Sequence, residues 1–220
     1  IGKEELSFIA EGELGGVVYA RTAAGFYITS SKIQQLTPGS MARITYEVRP
    51  NENETKLIDE NAVAYVVELG AEPEILKQTT LHFSDAPDVP AVKFESLREP
   101  LYYQHEFFGD RWIFPYTYKA AKGQSAEVSF YKASDEAAKK ENVNILVDVR
   151  LEITGTAEEG AEAKVEGDNI VVDFSGIRSM YTKDADDDHK IRIKFRYYSK
   201  DYENSYTSSK VYLMHVGEGL

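Results

Sequence analysis

Lys190-Ile191-Arg192-Ile193-Lys194-Phe195-Arg196-Tyr197-Tyr198 alternates without a fault. Ile191, Ile193, Phe195 and Tyr197 fall on one side of an extended chain, and Lys190, Arg192, Lys194 and Arg196 on the other. A period of two marks a strand with one face in a core and one in water. Asn144 to Thr154 reads the same way: Ile145, Val147, Val149, Leu151 and Ile153 face one side, and Asn144, Asp148, Arg150, Glu152 and Thr154 face mostly the other. Trp112 to Tyr118, Gln124 to Lys132, Asn169 to Phe174 and Ser209 to Val216 add further strand-like runs. Recurring strands with turn signals between them predict an antiparallel β-sandwich.

Working towards the N-terminus, the pattern stays β but the strands shorten. Gly16 to Arg21 and Phe26 to Thr29 flank Thr22-Ala23-Ala24-Gly25, a predicted hairpin turn. Thr37-Pro38-Gly39-Ser40 is a second turn, with Pro presetting one backbone angle and Gly accepting the positive one. Met41 to Val48 and Ala62 to Leu69 are further strands, and Ser31 to Leu36 is a short helical candidate. Gly12 to Gly16 reads as the lead-in to a first strand. Five or so strands between about Glu5 and Leu76 suit a small OB-type barrel, although a small antiparallel sandwich would read similarly.

Four of the seven prolines, Pro73, Pro87, Pro90 and Pro100, lie between Glu72 and Pro100, marking irregular chain between domains. The expected class is therefore all-β, with an OB-type barrel over residues 1–77 and a β-sandwich over 78–220. The expected first core is Val18, Phe26, Ile28, Ile44, Tyr46, Val63 and either Tyr65 or Val66. The expected second core is Val128, Phe130, Ile145, Val147, Val149, Leu151, Val171, Ile191, Ile193 and Phe195.

Composition removes several functions. The 220 residues carry 25 basic and 37 acidic side chains, a net charge of −12. Residues before Lys77 hold 6 basic against 12 acidic groups, and those from Lys77 onward 19 against 25. Neither part has the basic stripe of a nucleic-acid module, so no nucleic-acid partner is expected. There is no Cys, hence no disulfide, thiol nucleophile or thiolate metal site. The longest apolar run, Ala62 to Val67, is far short of a membrane helix.

No catalytic motif stands out. Gly-x-Ser-x-Gly and Gly-x-x-x-x-Gly-Lys are both absent, and no two of His82, His105, His189 and His215 lie within four residues of each other. The acidic run Asp184-Ala185-Asp186-Asp187-Asp188 offers oxygen ligands for calcium but lacks the Gly and distal Glu of an EF-type loop, so a solvated turn is the simpler reading. No metal, cofactor or catalytic residue is assigned.

The densest chemical feature is aromatic. Tyr102, Tyr103, Phe107, Phe108, Trp112, Phe114, Tyr116 and Tyr118 crowd into one stretch. If exposed, Tyr102, Tyr103, Trp112 and Tyr116 would form a platform for a sugar ring or a protein partner. The alternative is that the rings are scaffold. A second set, Tyr197, Tyr198, Tyr202, Tyr206 and Tyr212, follows a basic-faced strand and marks either another surface or a hairpin decorated with Tyr.

The layout resembles the NigD-like proteins of Bacteroidetes. The segments that carry the resemblance are Gly16-Val17-Val18-Tyr19, Gly25-Phe26-Tyr27-Ile28, Leu36 to Tyr46, and Asp173-Phe174-Ser175 ahead of Lys190 to Tyr198. One departure is Ser30-Ser31, where the family turns on Asp-Gly. The resemblance implies an OB-type N-terminal domain, a C-terminal β-sandwich and a lipoprotein leader. It also implies an exported protein, in the outer membrane or periplasm, whose membrane association runs through an anchor absent from this chain. The family takes its name from a bacteriocin-associated gene cluster and supplies no catalytic residues. The expected function is a non-enzymatic envelope module with a protein or glycan partner. The alternatives are a bacteriocin accessory or immunity factor, and a glycan-binding or hydrolytic protein that uses aromatic and acidic residues.

Overall fold

The computed structural model describes residues 2–90, 92–103, 108–181, 189–202 and 206–216. Two compact units divide the chain: residues 1–78 with 102–111, and residues 79–101 with 112–220. The expected division after Lys77 lacks one feature of this arrangement, the return of 102–111 to the first unit. Arg111 helps explain it, since its guanidinium lies over the ring of Phe8 at 5.2 Å.

The first unit is one seven-stranded sheet. Its strands are β1 (Lys3–Glu11), β2 (Val18–Thr22), β3 (Tyr27–Thr29), β4 (Met41–Tyr46), β5 (Thr55–Leu57), β6 (Val63–Val66) and β7 (Glu74–Ile75), in the order β5-β6-β3-β2-β1-β4-β7. β3 and β6 are parallel, and the other pairs are antiparallel. The sheet curls back on itself past β6, where Leu69 bridges Tyr46 and the Gly70 N–H donates to the Thr45 carbonyl at 2.8 Å. The result is the partly open barrel of OB type. Its core is aliphatic: Ile9, Ala20, Ile28, Ile33, Ala42, Ile44 and Val67, with Tyr46. Thr37–Ser40 forms the expected turn, with Gly39 at φ 92° and the Ser40 N–H on the Thr37 carbonyl.

Five expectations fail here. Val18 lies half-buried at the edge of the core rather than inside it. β1 precedes Gly12–Gly16, so that segment joins two strands rather than leading into the first. The helical candidate shrinks to one 3₁₀ turn, Ile33–Gln35. Phe26 sits at the hairpin tip and is 37% exposed. In β6 Ala64 is buried, Val63 is exposed and Tyr65 and Val66 are half-buried, and Val67, just past the strand's end, is buried in the core. Val63 to Val67 is apolar at every position, so periodicity carries no information about which side is inside.

The second unit is built on a nine-stranded sheet. Its strands are β8 (Lys77–His82), β9 (Ser96–Leu97), β10 (Arg111–Ala120), β11 (Gln124–Lys132), β12 (Ile145–Gly155), β13 (Lys164–Asp173), β14 (His189–Tyr197), β15 (Thr207–Ser208) and β16 (Tyr212–Val216). β8 and β10 both begin in the chain assigned to the first unit. The order is β15-β14-β12-β11-β8-β13-β10-β9, with β16 also paired to β14. β8–β11 and β12–β14 are parallel. Four strands lie between β10 and β14 along this path, yet Phe114 and Phe195 meet at 4.8 Å between ring centroids. The sheet is therefore bent over its own inner face into two layers. Residues 94–97 stitch the open side: the Phe94 N–H donates to Tyr198, and the Glu95 N–H to Thr117.

The inner face is filled with rings. Trp112 touches Phe174, Phe195 and Tyr212, and Phe114 touches Phe130. All ten residues expected in the second core are buried. Two short helices complete the unit. α1 (Asp135–Lys140) is capped by Ser134, whose side chain accepts from the Ala137 N–H at 3.2 Å, with acids in its first turn and lysines in its last. α2 (Ser175–Tyr181) buries Ile177 directly after β13. None of the described helices is long and apolar enough to cross a membrane.

Candidate functional site

The four aromatic residues singled out in the sequence do not form a platform. Trp112 and Tyr116 are only 1% and 2% exposed. The reason is register. Trp112, Phe114 and Tyr116 share one face of β10, and Phe114 belongs to the ring cluster, so its neighbours two residues away are carried inward with it. Tyr102 is half-buried and Tyr103 is 45% exposed, and both belong to the first unit, where Tyr103 packs edge-on against Phe108 at 4.6 Å. The acidic run 184–188 lies outside the described residues.

The distinctive surface is the back of the second sheet. Ile145, Val147, Val149 and Leu151 of β12 point inward, as do Ile191, Ile193 and Phe195 of β14. Alternate residues Asp148, Arg150, Arg196 and Tyr198 must then share the outer face. Parallel pairing sets Asp148 opposite Arg196, and antiparallel pairing sets Tyr131 opposite Asp148 and Ser129 opposite Arg150. α1 closes one end of this face over Leu146, packing Ala133, Ala138 and Val143 around it.

Next to that seal, Arg196 grips Asp148 with two hydrogen bonds: Nε donates to Oδ1 at 2.7 Å and Nη2 to Oδ2 at 3.0 Å. The Asp148 side chain is 7% exposed and that of Arg196 26%. The pair is thus partly desolvated and bidentate, the strong form of an ion pair. Its hydrogen bonding raises the Arg196 pKa above the usual guanidinium value. Lys194 on the same face is paired with Glu141 at 3.0 Å.

One residue further along β12 on this face, Arg150 is treated differently. Its guanidinium carbon lies 5.2 Å from the Tyr198 ring centroid and 4.9 Å from that of Tyr206. The two tyrosines pack together at 4.1 Å, and Arg196 reaches Tyr206 as well, at 4.9 Å. The Arg150 Nε is buried without a hydrogen-bond partner. No carboxylate among the described residues pairs with Arg150. Across β11, the ring of His82 stacks on Tyr131 at 4.9 Å. Around Tyr198 and Tyr206 the surface therefore offers two guanidinium groups, Arg150 and Arg196, and several half-covered rings, a combination suited to binding. No group of three or more His, Asp or Glu among the described residues is placed to hold a metal.

A cleft of about 670 Å³ on the first unit is lined by Tyr46, Glu47, Arg49, Glu52, Glu54 and Glu68, among others. Its one guanidinium is already engaged, by Glu47 at 2.9 Å and Glu52 at 3.2 Å.

Comparison with solved structures accounts for this architecture. A NigD-like immunity protein from Bacteroides caccae aligns over 96% of this chain and 97% of its own, at 14% identity and a TM-score of 0.52. This chain has the NigD-like fold. The same fold is shared by an uncharacterized protein from Parabacteroides merdae, at 10% identity, 97% and 98% coverage and a TM-score of 0.61. A candidate lipoprotein from Bacteroides fragilis also shares it, at 14% identity, 98% coverage of both chains and a TM-score of 0.59. No family model and no curated protein sequence matches the chain. The NigD-like fold is thus carried by sequences that retain almost no identity.

The sequence contained half of the outer-face signal. The basic side of β14 and the tyrosines after it are visible by eye. The Asp148–Arg196 pair is not, because its members are 48 residues apart and meet only through parallel strand pairing.

Proposed function

We propose that this protein is a non-enzymatic, NigD-like module of the bacterial cell envelope that holds a protein partner on the outer face of its second unit. The carrying observation is the cluster of Arg150, Arg196, Tyr198 and Tyr206 on one half-exposed sheet surface. Arg and Tyr are the residues that dominate binding energy at protein interfaces, since each combines a large contact area with a polar end. An envelope location fits the candidate lipoprotein that shares the fold. The immunity role named for the Bacteroides caccae protein is one way such a module would act, by occupying a partner.

The test is parallel affinity capture from envelope extract with the native chain and a Tyr198→Ala/Tyr206→Ala variant of unchanged circular dichroism. The expected result is a protein recovered by the native chain and lost by the variant. Equal recovery by both would overturn the assignment of this face. Recovery of the native chain in the cytosolic fraction of its host would overturn the envelope assignment.

A further inference from the structure

The second unit also holds a cavity of about 720 Å³, between the β10–β11 turn and the loop that joins β12 to β13. Its walls follow strand parity. Tyr118 and Ala120 line it from β10, and Lys164 and Glu166 from β13, the strand beside β10. The residues between them, Lys119 and Val165, do not. Alternate residues of a strand share one side, so these four side chains face the cavity. Tyr118 continues the inward row of Trp112, Phe114 and Tyr116 and packs against Tyr116 at 5.7 Å between ring centroids. Asp168 continues the row of Lys164 and Glu166, and after burial it is the charge of Asp168 that raises the Tyr116 pKa.

The two loops are tied to each other. The Glu158 N–H donates to the Lys122 carbonyl at 2.8 Å, and the Ala161 N–H to the Glu158 carbonyl at 3.0 Å. At Gly123, with φ 93°, the loops approach so closely that a Cβ would stand 2.5 Å from the Thr156 carbonyl oxygen. A site shaped before its ligand arrives loses little entropy on binding. Its polar groups, by contrast, are uncommitted. The Tyr118 hydroxyl and the side chains of Glu162, Lys164 and Glu166 have no hydrogen-bond or ion-pair partner among the described residues. Gln124 Oε1 accepts from the Ala121 N–H at 3.0 Å, which leaves the Gln124 Nε2 donors available. The charges of the lining cancel, Lys122 and Lys164 against Glu162 and Glu166, and Glu158 also takes Lys122 at 2.8 Å.

We infer that this cavity binds a neutral oligosaccharide. A sugar ring offers a C–H face for the half-buried Tyr118 ring. Its hydroxyls both donate and accept, which suits the acceptors Glu162 and Glu166 and the donors of Lys164 and Gln124. An acidic sugar would meet Glu162 and Glu166 with Lys164 as its one uncommitted cation, and a basic peptide would meet Lys164. The volume lies within the range of small-molecule sites. The site is separate from the outer face and does not depend on a protein partner there.

The test follows the backbone amide signals of Gly123, Gly160 and Ala161 by NMR in the full chain at 0.15 M salt. The probes are maltotriose, cellotriose, mannotriose, galactotriose and xylotriose, with trigalacturonate and an N-acetylated, C-amidated trilysine run separately. The expected result is a saturable shift with at least one neutral sugar and binding of trigalacturonate at least tenfold weaker. Tyr118→Leu, which keeps apolar bulk but loses the ring, should weaken sugar binding about tenfold. Glu166→Ala, at an exposed position, should weaken it about fivefold with an unchanged Tm. No saturable shift with any neutral sugar, or undiminished binding by both variants, would overturn the site. Trigalacturonate binding as tightly as the neutral sugars, or binding of trilysine alone, would overturn the choice of ligand.

Discussion

The two faces of the second sheet are made from alternate residues of the same strands, yet they are built to different rules. The inner face of β10, β12 and β14 is largely apolar and buried, and the rings of Trp112, Phe114, Phe174 and Tyr212 pack around Phe195. On the outer face, charges and half-covered tyrosines are gathered, one guanidinium is neutralised and another is not. The inner face is accounted for by stability alone. The outer face leaves the Arg150 Nε buried without a hydrogen-bond partner, a cost that the stability of the inner face does not require. The first unit sharpens the contrast: its core is almost wholly aliphatic and its barrel closes through backbone bonds near Tyr46 and Leu69.

The largest effect should come from placing a charge inside. Ile193→Lys buries an unpaired ammonium among rings and should cost about 5 kcal/mol or more, unfolding the second unit, as read by denaturant unfolding followed through Trp112 fluorescence. Trp112→Ala removes the ring that touches Phe174, Phe195 and Tyr212 and should cost about 3–5 kcal/mol.

A pH titration separates the faces in another way. Burial, before any other cause, raises the pKa of the inward Tyr116 and Tyr197 above the ordinary tyrosine value. Because the folded chain keeps these protons longer than the unfolded chain, their contribution is fully present below about pH 10 and is lost as pH rises beyond it. Phenolate absorbance from these two rings should therefore appear together with unfolding. Its appearance at about pH 10 in a fully folded chain would contradict their assignment to the interior.

Smaller effects belong to the outer face. Asp148→Asn leaves Arg196 partly desolvated beside a neutral amide and should cost about 1–3 kcal/mol, reduced from the fully buried case because Arg196 retains some solvent. Arg150→Met keeps the apolar stem and removes the unsatisfied group, so its stability should change by no more than about 0.5 kcal/mol.

These contrasts also explain what was readable in advance. The parity of Lys190 to Tyr198 and of Asn144 to Thr154 was legible because, Leu146 and Tyr198 apart, each apolar residue is answered by a polar one, and the structure buries Ile145, Val147, Val149, Leu151, Ile191, Ile193 and Phe195 as expected. β6 was not legible, since Val63-Ala64-Tyr65-Val66 and the Val67 that follows are apolar on both sides, and strand neighbours, not composition, bury Ala64 within the strand and Val67 after it. β1 was missed because Lys3-Glu4-Glu5 hides its start, and its end, Ser7 to Ala10, is buried on both faces and does not alternate. The aromatic stretch misled for a related reason. Its density was visible, but the even-numbered register that sends Trp112 and Tyr116 inward depends on Phe114 meeting Phe195 across the bend. The basic strand and its tyrosines were visible, while the distinction between Arg150 and Arg196 required the pairing of β12 with β14.

The most direct measurement pairs a change on each face, Trp112→Phe inside and Tyr198→Ala/Tyr206→Ala outside, and records thermal unfolding and capture of the envelope partner for both. A division of labour between the faces predicts a lowered Tm with intact capture for Trp112→Phe, and a nearly unchanged Tm with lost capture for the tyrosine variant. A lowered Tm with undiminished capture in the tyrosine variant would show that these rings belong to the scaffold and would contradict the account.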